Sequence, residues 1–349
     1  MNMKLTEFSA IVSEGSSLTE YQASVVADLL ASEEEDPVEK ADFLTKLARK
    51  GETFQEVAGL ARRYRELARN PGLDEWSSRA IDVCGTGGDK QHTFNISTTV
   101  TFIVAAAGIP VLKHGNRSIT SKCGSSNLLE ALGFDIASDD ANLQRSMEEL
   151  GFCFMFAPAF HPAFKEIVPV RQALAAKGQH TVFNILGPLI NPAKPAYQLL
   201  GVFSSDVVDM MANAQDSLGL KAGLIVHCDL GEKGGMDEFS TAGTNIARGF
   251  GSLGGIDARW APSEMGIESG PLEDLEGGDV EENMQLLDRL MEGKAPLALE
   301  NSVVVNAAAA FFVTGRYASI AEGVEEARDL LIGGSVRKKI GQAQEFYKS

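Results

Sequence analysis

Between Asp82 and Asn116 the chain reads DVCGTGGDKQHTFNISTTVTFIVAAAGIPVLKHGN, and this one stretch carries three sets of groups able to hold an anion. Gly85-Thr86-Gly87-Gly88-Asp89 follows the short apolar run Ile81–Cys84. Glycines at that point allow turn conformations denied to other residues and let backbone N–H groups come close to a phosphate. Asn95, Ser97 and Thr98 then supply amide and hydroxyl groups at the head of the apolar run Val100–Ala107, whose helix N-terminus would carry partial positive charge. Lys113 and His114 end the next apolar run. Polyphosphate binding is the chemistry this pattern suggests. It is neither of the two commonest nucleotide signatures, because the loop has no Gly-Lys-Ser/Thr ending and no complete GxGxxG. Alone, such a loop is also compatible with a simple tight turn.

The elements that must position these groups change character along the chain. Residues up to Asn70-Pro71-Gly72 carry three capping signals, Ser17 with Glu20, Asp36 with Glu39 and Pro37, and Thr53 with Glu56, each ahead of apolar residues at helical spacing. From Ile81 onward short apolar runs alternate with helical stretches, the pattern of a parallel α/β sheet. Strands are expected at 81–84, 110–113, 152–156, 198–203 and 223–227, and helices near 98–107, 126–132, 142–150 and 205–218. GTGGD and KHGN then fall at the carboxyl ends of strands, where open parallel sheets bind ligands. The stretch 251–278, rich in Gly, Pro and acids, reads as irregular connection or twisted ribbon. The expected architecture is α/β, with a small all-helical N-terminal domain (1–72) and a larger α/β domain with a mainly parallel central sheet (78–345).

Bulk properties narrow the partners. Thirty-one Lys and Arg against 48 Asp and Glu give a net charge of −17, which repels nucleic acid. A phosphate ligand therefore needs a locally positive site, made from backbone N–H groups, lysines and a divalent cation. The four cysteines lack CxxC spacing, and no apolar run is long enough to span a bilayer, so a cytoplasmic protein with reduced thiols and no membrane partner is expected.

Taken together, GTGGDKQHTFNIST, KHGNRSITSKCGSSNLLEALG, FHPAFKEIVPVR, TVFNILGPLINPA and GGMDE resemble the anthranilate phosphoribosyltransferases of tryptophan biosynthesis, in the right order and over nearly the whole chain. The resemblance implies transfer of a phosphoribosyl group from 5-phosphoribosyl 1-diphosphate to anthranilate, with release of diphosphate and with Mg2+ as cofactor. It places the donor on Gly85, Thr86, Gly87, Gly88, Asp89, Thr93, Asn95, Ser97, Thr98, Lys113 and Thr120. The acceptor falls to Gly85, His114, Asn116, His161 and Arg171, with the Arg171 guanidinium on the carboxylate. Asp237 and Glu238, with Ser97 as a further oxygen, would organise the metal. Gly187 and Pro188 would border the substrate channel, and His114 is a candidate proton acceptor. A homodimer through the N-terminal helices is also implied.

Four departures from the family pattern are visible. The segment after Arg171 reads QALAAKGQH, longer than usual and ending in His180 where an arginine is common. Asn127 and Cys123 stand where the family has an aspartate and a serine. The alternatives are a pyrimidine-nucleoside phosphorylase-like enzyme, against which Asn116, FNILGPLINP and the acidic pair argue, and a catalytically idle nucleic-acid-binding relative, which the net charge opposes.

Overall fold

The computed structural model describes residues 3–117 and 122–348. Four helices open the chain: α1 (Leu5–Ser13), α2 (Glu20–Ala31), α3 (Pro37–Lys50) and α4 (Phe54–Leu67). Thr53 and Glu56 form the expected reciprocal cap of α4, and Asp36 accepts the Val38 N–H with Pro37 at the first helical position. The start of α2 differs from the sequence reading. Its cap is Thr19 with Gln22, because Leu18 is drawn into the core and leaves the next residue at the helix mouth. Ser17 thus lies outside the cap, and Glu20 instead pairs with Arg62 of α4.

After the short helix α5 (Asp74–Ser77) the chain enters the sheet: β1 (Ile81–Gly85), α6 (Ile96–Ala106), β2 (Val111–Gly115), α7 (Ser125–Ala131), α8 (Asp140–Leu150) and β3 (Phe152–Phe156). Two short helices and one longer one follow, α9 (Ala157–Phe160), α10 (Val168–Ala175) and α11 (Phe183–Leu186), then β4 (Tyr197–Gly201), α12 (Val208–Ser217) and β5 (Ala222–Asp229). A hairpin-like region, β6 (Gly235–Met236), β7 (Thr244–Gly251) and β8 (Asp257–Trp260), completes the sheet. The C-terminal helices are α13 (Val280–Met291), α14 (Leu297–Val313), α15 (Ile320–Ile332) and α16 (Ser335–Phe346). All five expected strands are present, shifted by up to two residues at their ends. The 205–218 helix begins with a 3-10 turn, and 251–278 contains β8 as well as irregular chain.

The sheet runs β3-β2-β1-β4-β5-β7-β8, parallel from β3 through β5 and antiparallel beyond, with β6 on β5. Both faces are covered, so alternate strand residues enter different cores. Leu224 and Val226 of β5 join α6 and α14 on one face, while Ile225 joins the core shared by α2, α3, α4 and α12. Residues 167–190 contribute to that second core, so the acceptor-side segment rests on the N-terminal helices. The β1 and β2 strands behave differently from the rest. They are in register only at Ile81 and Val111, whereas β1 and β4 stay paired over five residues. Beyond that point β1 and β2 diverge, and their carboxyl ends form the two sides of a cleft.

Candidate active site

The cleft has a volume of about 880 Å³, and its walls include every described residue that the sequence reading assigned to donor, acceptor or metal. Thr120 lies outside the described residues. One wall begins at Gly85, where an added Cβ would collide with the Asp237 carboxylate. Thr86 is fastened to the end of β4, donating to the Gly201 carbonyl (2.9 Å) and accepting the Phe203 N–H on its hydroxyl (3.1 Å). Gly87 and Gly88 both have left-handed backbone, with φ of 67° and 87°. A branched side chain at either would be strained. The Gly87 N–H donates to Asp237 Oδ2 at 2.7 Å, so the loop already holds an anionic oxygen.

The loop continues through Lys90 and His92, both also left-handed, at φ of 62° and 54°. Such conformations cost about 1 kcal/mol or more for residues with a side chain and persist only where neighbours enforce them. Here the neighbours are residues 273–277: the His92 carbonyl accepts from Gly277 N–H (3.0 Å), Thr93 bridges Glu276, and Phe94 N–H donates to Leu275 (2.9 Å). Phe94 itself is buried and anchors the loop in the core.

Asn95 occupies the cap position of α6 without capping it through its side chain. Its amide instead donates to the Cys123 carbonyl at 3.0 Å. The helix mouth is served by Glu238, whose Oε1 accepts the Ser97 N–H at 3.0 Å while Oε2 is buried with no hydrogen-bond partner. Gly201 explains how the acidic pair comes so close: a Cβ there would overlap the backbone carbonyl of Asp237. Burial, then the neighbouring Asp89 carboxylate, push Asp237 up to about 7. Burial and Asp237 push Glu238 well above the usual carboxylate range. The pair is therefore half-buried and electrostatically unsatisfied. Lys113 is the buried cation nearest in kind; its ammonium donates to the Val83 carbonyl at 2.6 Å, and burial lowers its pKa. Two of its three N–H donors remain for other partners.

The other side of the cleft is aromatic. His114 and His161 meet Nε2 to Nε2 at 3.2 Å, with rings edge-on, and both are buried. Burial holds His161 down to about 4, and burial, then His161 and Lys113, hold His114 well below the usual imidazole range. Two such neutral imidazoles share one proton across the contact, one donating and one accepting. Arg171, on α10, packs its guanidinium over Phe183 (5.0 Å to the ring centre) and donates to the Phe183 carbonyl at 3.4 Å. Among the described residues it has no carboxylate in ion-pair range, so a charged planar fork faces the cleft unneutralised. Asn116 is exposed at the rim, Gly187 and Pro188 line the wall as expected, and His180 lies 6.3 Å from the Phe203 ring. Asn127 accepts the Gly124 N–H at the mouth of α7, a role its departure from aspartate preserves.

Several contributors escaped the sequence reading. Cys84, Phe164, Phe183 and Phe203 line the cleft, and Asp82 and Asn191 lie buried behind it. The aromatic residues sit beside recognised motif positions, which is the signal that could have found them. The lining carries Lys90, Lys113, Arg117, Lys165 and Arg171 against Asp89, Asp237 and Glu238, so basic side chains outnumber acidic ones there in an otherwise acidic protein, although Arg117 pairs with Glu130 and Lys165 with Glu166.

Known proteins share this arrangement. Models of the glycosyl transferase family match the chain twice, the α/β domain over residues 77–337 and the helical bundle domain over 8–68. An anthranilate phosphoribosyltransferase from Chloroflexus aggregans is 40% identical over 341 residues, spanning 97% of each chain. The crystal structure of the Thermus thermophilus anthranilate phosphoribosyltransferase is 38% identical, with a TM-score of 0.88 over 98% of this chain and 99% of that one. The fold is also that of the Saccharomyces cerevisiae anthranilate phosphoribosyltransferase in complex with PRPP and Mg, at a TM-score of 0.83, 22% identity and coverage of 99% and 98%.

Proposed function

The chain belongs to the anthranilate phosphoribosyltransferase family, and we propose that its cleft performs the family's reaction through the two walls described above. The reaction transfers the phosphoribosyl group of 5-phosphoribosyl 1-diphosphate to the amine of anthranilate and releases diphosphate, a step of tryptophan biosynthesis. The observation that carries the residue assignment is the pairing of a glycine loop and helix mouth on one side with an unneutralised arginine among aromatic rings on the other.

On the donor side, backbone N–H groups of Gly85 to Asp89, the hydroxyls and amides of Thr93, Asn95, Ser97 and Thr98, and the Lys113 ammonium hold the phosphoribosyl and diphosphate oxygens. Asp237 and Glu238, with Ser97, suit Mg2+: the carboxylates are crowded, lack an ion-pair partner among the described residues, and leave Glu238 Oε2 unpartnered. No cluster of three or more Asp, Glu, His or Cys ligands exists among the described residues, which fits an ion that takes its remaining oxygens from diphosphate and water. When bound, magnesium supplies charge to the departing diphosphate.

On the acceptor side, Arg171 meets the anthranilate carboxylate, and Gly85, His114, Asn116 and His161 shape the ring's surroundings. The amine attacks the anomeric carbon as the bond to diphosphate breaks, the proton it then sheds leaves with diphosphate or water, and no covalent enzyme intermediate is needed. His114, kept neutral by burial and in contact with His161, positions the acceptor. Preorganised donors acting on the leaving group supply the catalysis.

We further take the protein to act in the cytoplasm as a homodimer joined through its N-terminal helices. No disulfide joins cysteines among the described residues, and Tyr21 of α2 and Val38 of α3 are exposed apolar side chains on those helices. Turnover is tested by following the loss of anthranilate fluorescence on adding donor and Mg2+. Signal loss that requires both supports the assignment; unchanged fluorescence at saturating substrates contradicts it.

A further inference from the structure

The divergence of β1 and β2 opens the cleft, and it leaves main-chain groups that a regular parallel pair would satisfy within its own ladder. Two side chains fill that gap. Lys113 of β2 reaches the Val83 carbonyl of β1 from one face. From the other, the Asn191 amide donates to both the Leu112 carbonyl (2.8 Å) and Asp82 Oδ2 (3.0 Å). Asn191 is itself fixed, since its Oδ1 accepts the Ala193 N–H at 3.0 Å. One buried amide therefore spans both strands where they part, one residue before Lys113 and three before Gly85.

Asp82 is 1% exposed, and among the described residues it has no ion pair. Its Oδ2 also takes the Cys84 thiol at 3.7 Å, while Oδ1 is buried without a partner. A half-satisfied buried acid is costly, and burial raises its pKa accordingly. Such a group is a weak source of stability but a strong geometric constraint, because its remaining bonds cannot be exchanged for water.

We propose that Asp82 and Asn191 are positioning residues that hold β1 and β2 apart at a fixed splay and thereby set the distance between the donor loop after β1 and the acceptor-facing His114 on β2. This rests on the two-walled reading of the cleft. A nucleophile and an anomeric carbon bound to separate strands react only if those strands keep their spacing, and a displacement near 1 Å can cost about 100-fold in rate. Neither residue touches substrate in this scheme, so each half-site should bind normally when the wedge is removed.

The test uses Asn191→Ala and, independently, Asp82→Asn in the full-length enzyme, with turnover of the unsubstituted enzyme established first so that failure of the overall reading is recognised separately. Donor and anthranilate affinities are measured one at a time by calorimetry, alongside kcat and thermal midpoint. The expected result is a 10- to 100-fold fall in kcat with each single-substrate Kd within threefold of the original. The double substitution should be no worse than the poorer single one, as for residues acting as one unit. Unchanged kcat in either folded variant overturns the proposal, as does a loss confined to substrate affinity or strictly multiplicative single effects. If Asn191→Ala does not fold, Asp82→Asn, which keeps shape and an acceptor oxygen, carries the test alone.

Discussion

At the scale of single residues, Arg171 and the histidine pair make separable predictions. Arg171→Ala should weaken anthranilate binding by on the order of 1.5–3 kcal/mol, the range for hydrogen bonds to a charged group, while donor affinity barely changes. Aniline, lacking the carboxylate, should be strongly disfavoured by the native enzyme and much less so by the variant. Equal discrimination by both proteins would move carboxylate recognition to another group, with Lys177 and His180 next. The histidines bear on stability. Burial keeps His161 neutral down to about 4, while the unfolded chain takes up its proton near 6.5, so the contribution is fully present above the unfolded value and lost as pH falls through that window. His161→Gln should flatten the fall in urea midpoint between pH 6.5 and 4, removing up to about 3 kcal/mol of pH dependence. A slope identical to the parent would show that the imidazole is not held neutral. Residues in contiguous motifs were legible in the sequence because the motif fixes their neighbours. Asp82 and Asn191 were not, because their partnership joins positions 109 residues apart and exists only once the strands diverge.

At the scale of elements, the donor loop is the part most dependent on backbone shape. Gly88→Val would force a branched residue to φ of 87°, so the donor KM should rise at least tenfold while the anthranilate KM stays within about twofold. A donor KM that survives the change, measured by initial rates, would reduce the loop to a turn. The parallel strands and the helices between them could be read from alternating apolar runs, since each run has one buried partner pattern. The C-terminal helix α14 could not. Nearly all of α14, LALENSVVVNAAAAFFV, is buried, and a segment buried on every side has no amphipathic period to mark it as helix. β7 was missed for a related reason: TNIARGFG holds two glycines, and Gly249 and Gly251 are required because the Leu253 and Lys221 carbonyls crowd the positions where their Cβ atoms would sit.

At the scale of the whole molecule, the net charge of −17 excludes polyanions everywhere except where the fold gathers cations and backbone dipoles. Composition disclosed that such a place must exist, and the motifs disclosed where. Neither disclosed that the acidic pair would be half-buried against Gly85 and Gly201, because that contact depends on two glycines from different strands meeting one carboxylate-bearing turn. One consequence is global. Asp237→Asn with Glu238→Gln should raise the metal-free thermal midpoint at pH 8, above the value of about 7 to which Asp237 is pushed, and abolish stabilisation by donor with Mg2+; a lowered midpoint would mean that the pair supports the fold instead. The central claim, that the glycine loop and the acidic pair together receive donor and metal while Arg171 receives the acceptor, is tested most directly by a crystal structure of this protein with 5-phosphoribosyl 1-diphosphate, Mg2+ and an unreactive anthranilate analogue. The account expects diphosphate oxygens on the N–H groups of Gly85 to Asp89, a metal about 2.1 Å from at least one oxygen of Asp237 or Glu238, and the analogue's carboxylate on Arg171. Diphosphate bound away from that loop, or a metal with no contact to either carboxylate, would contradict it.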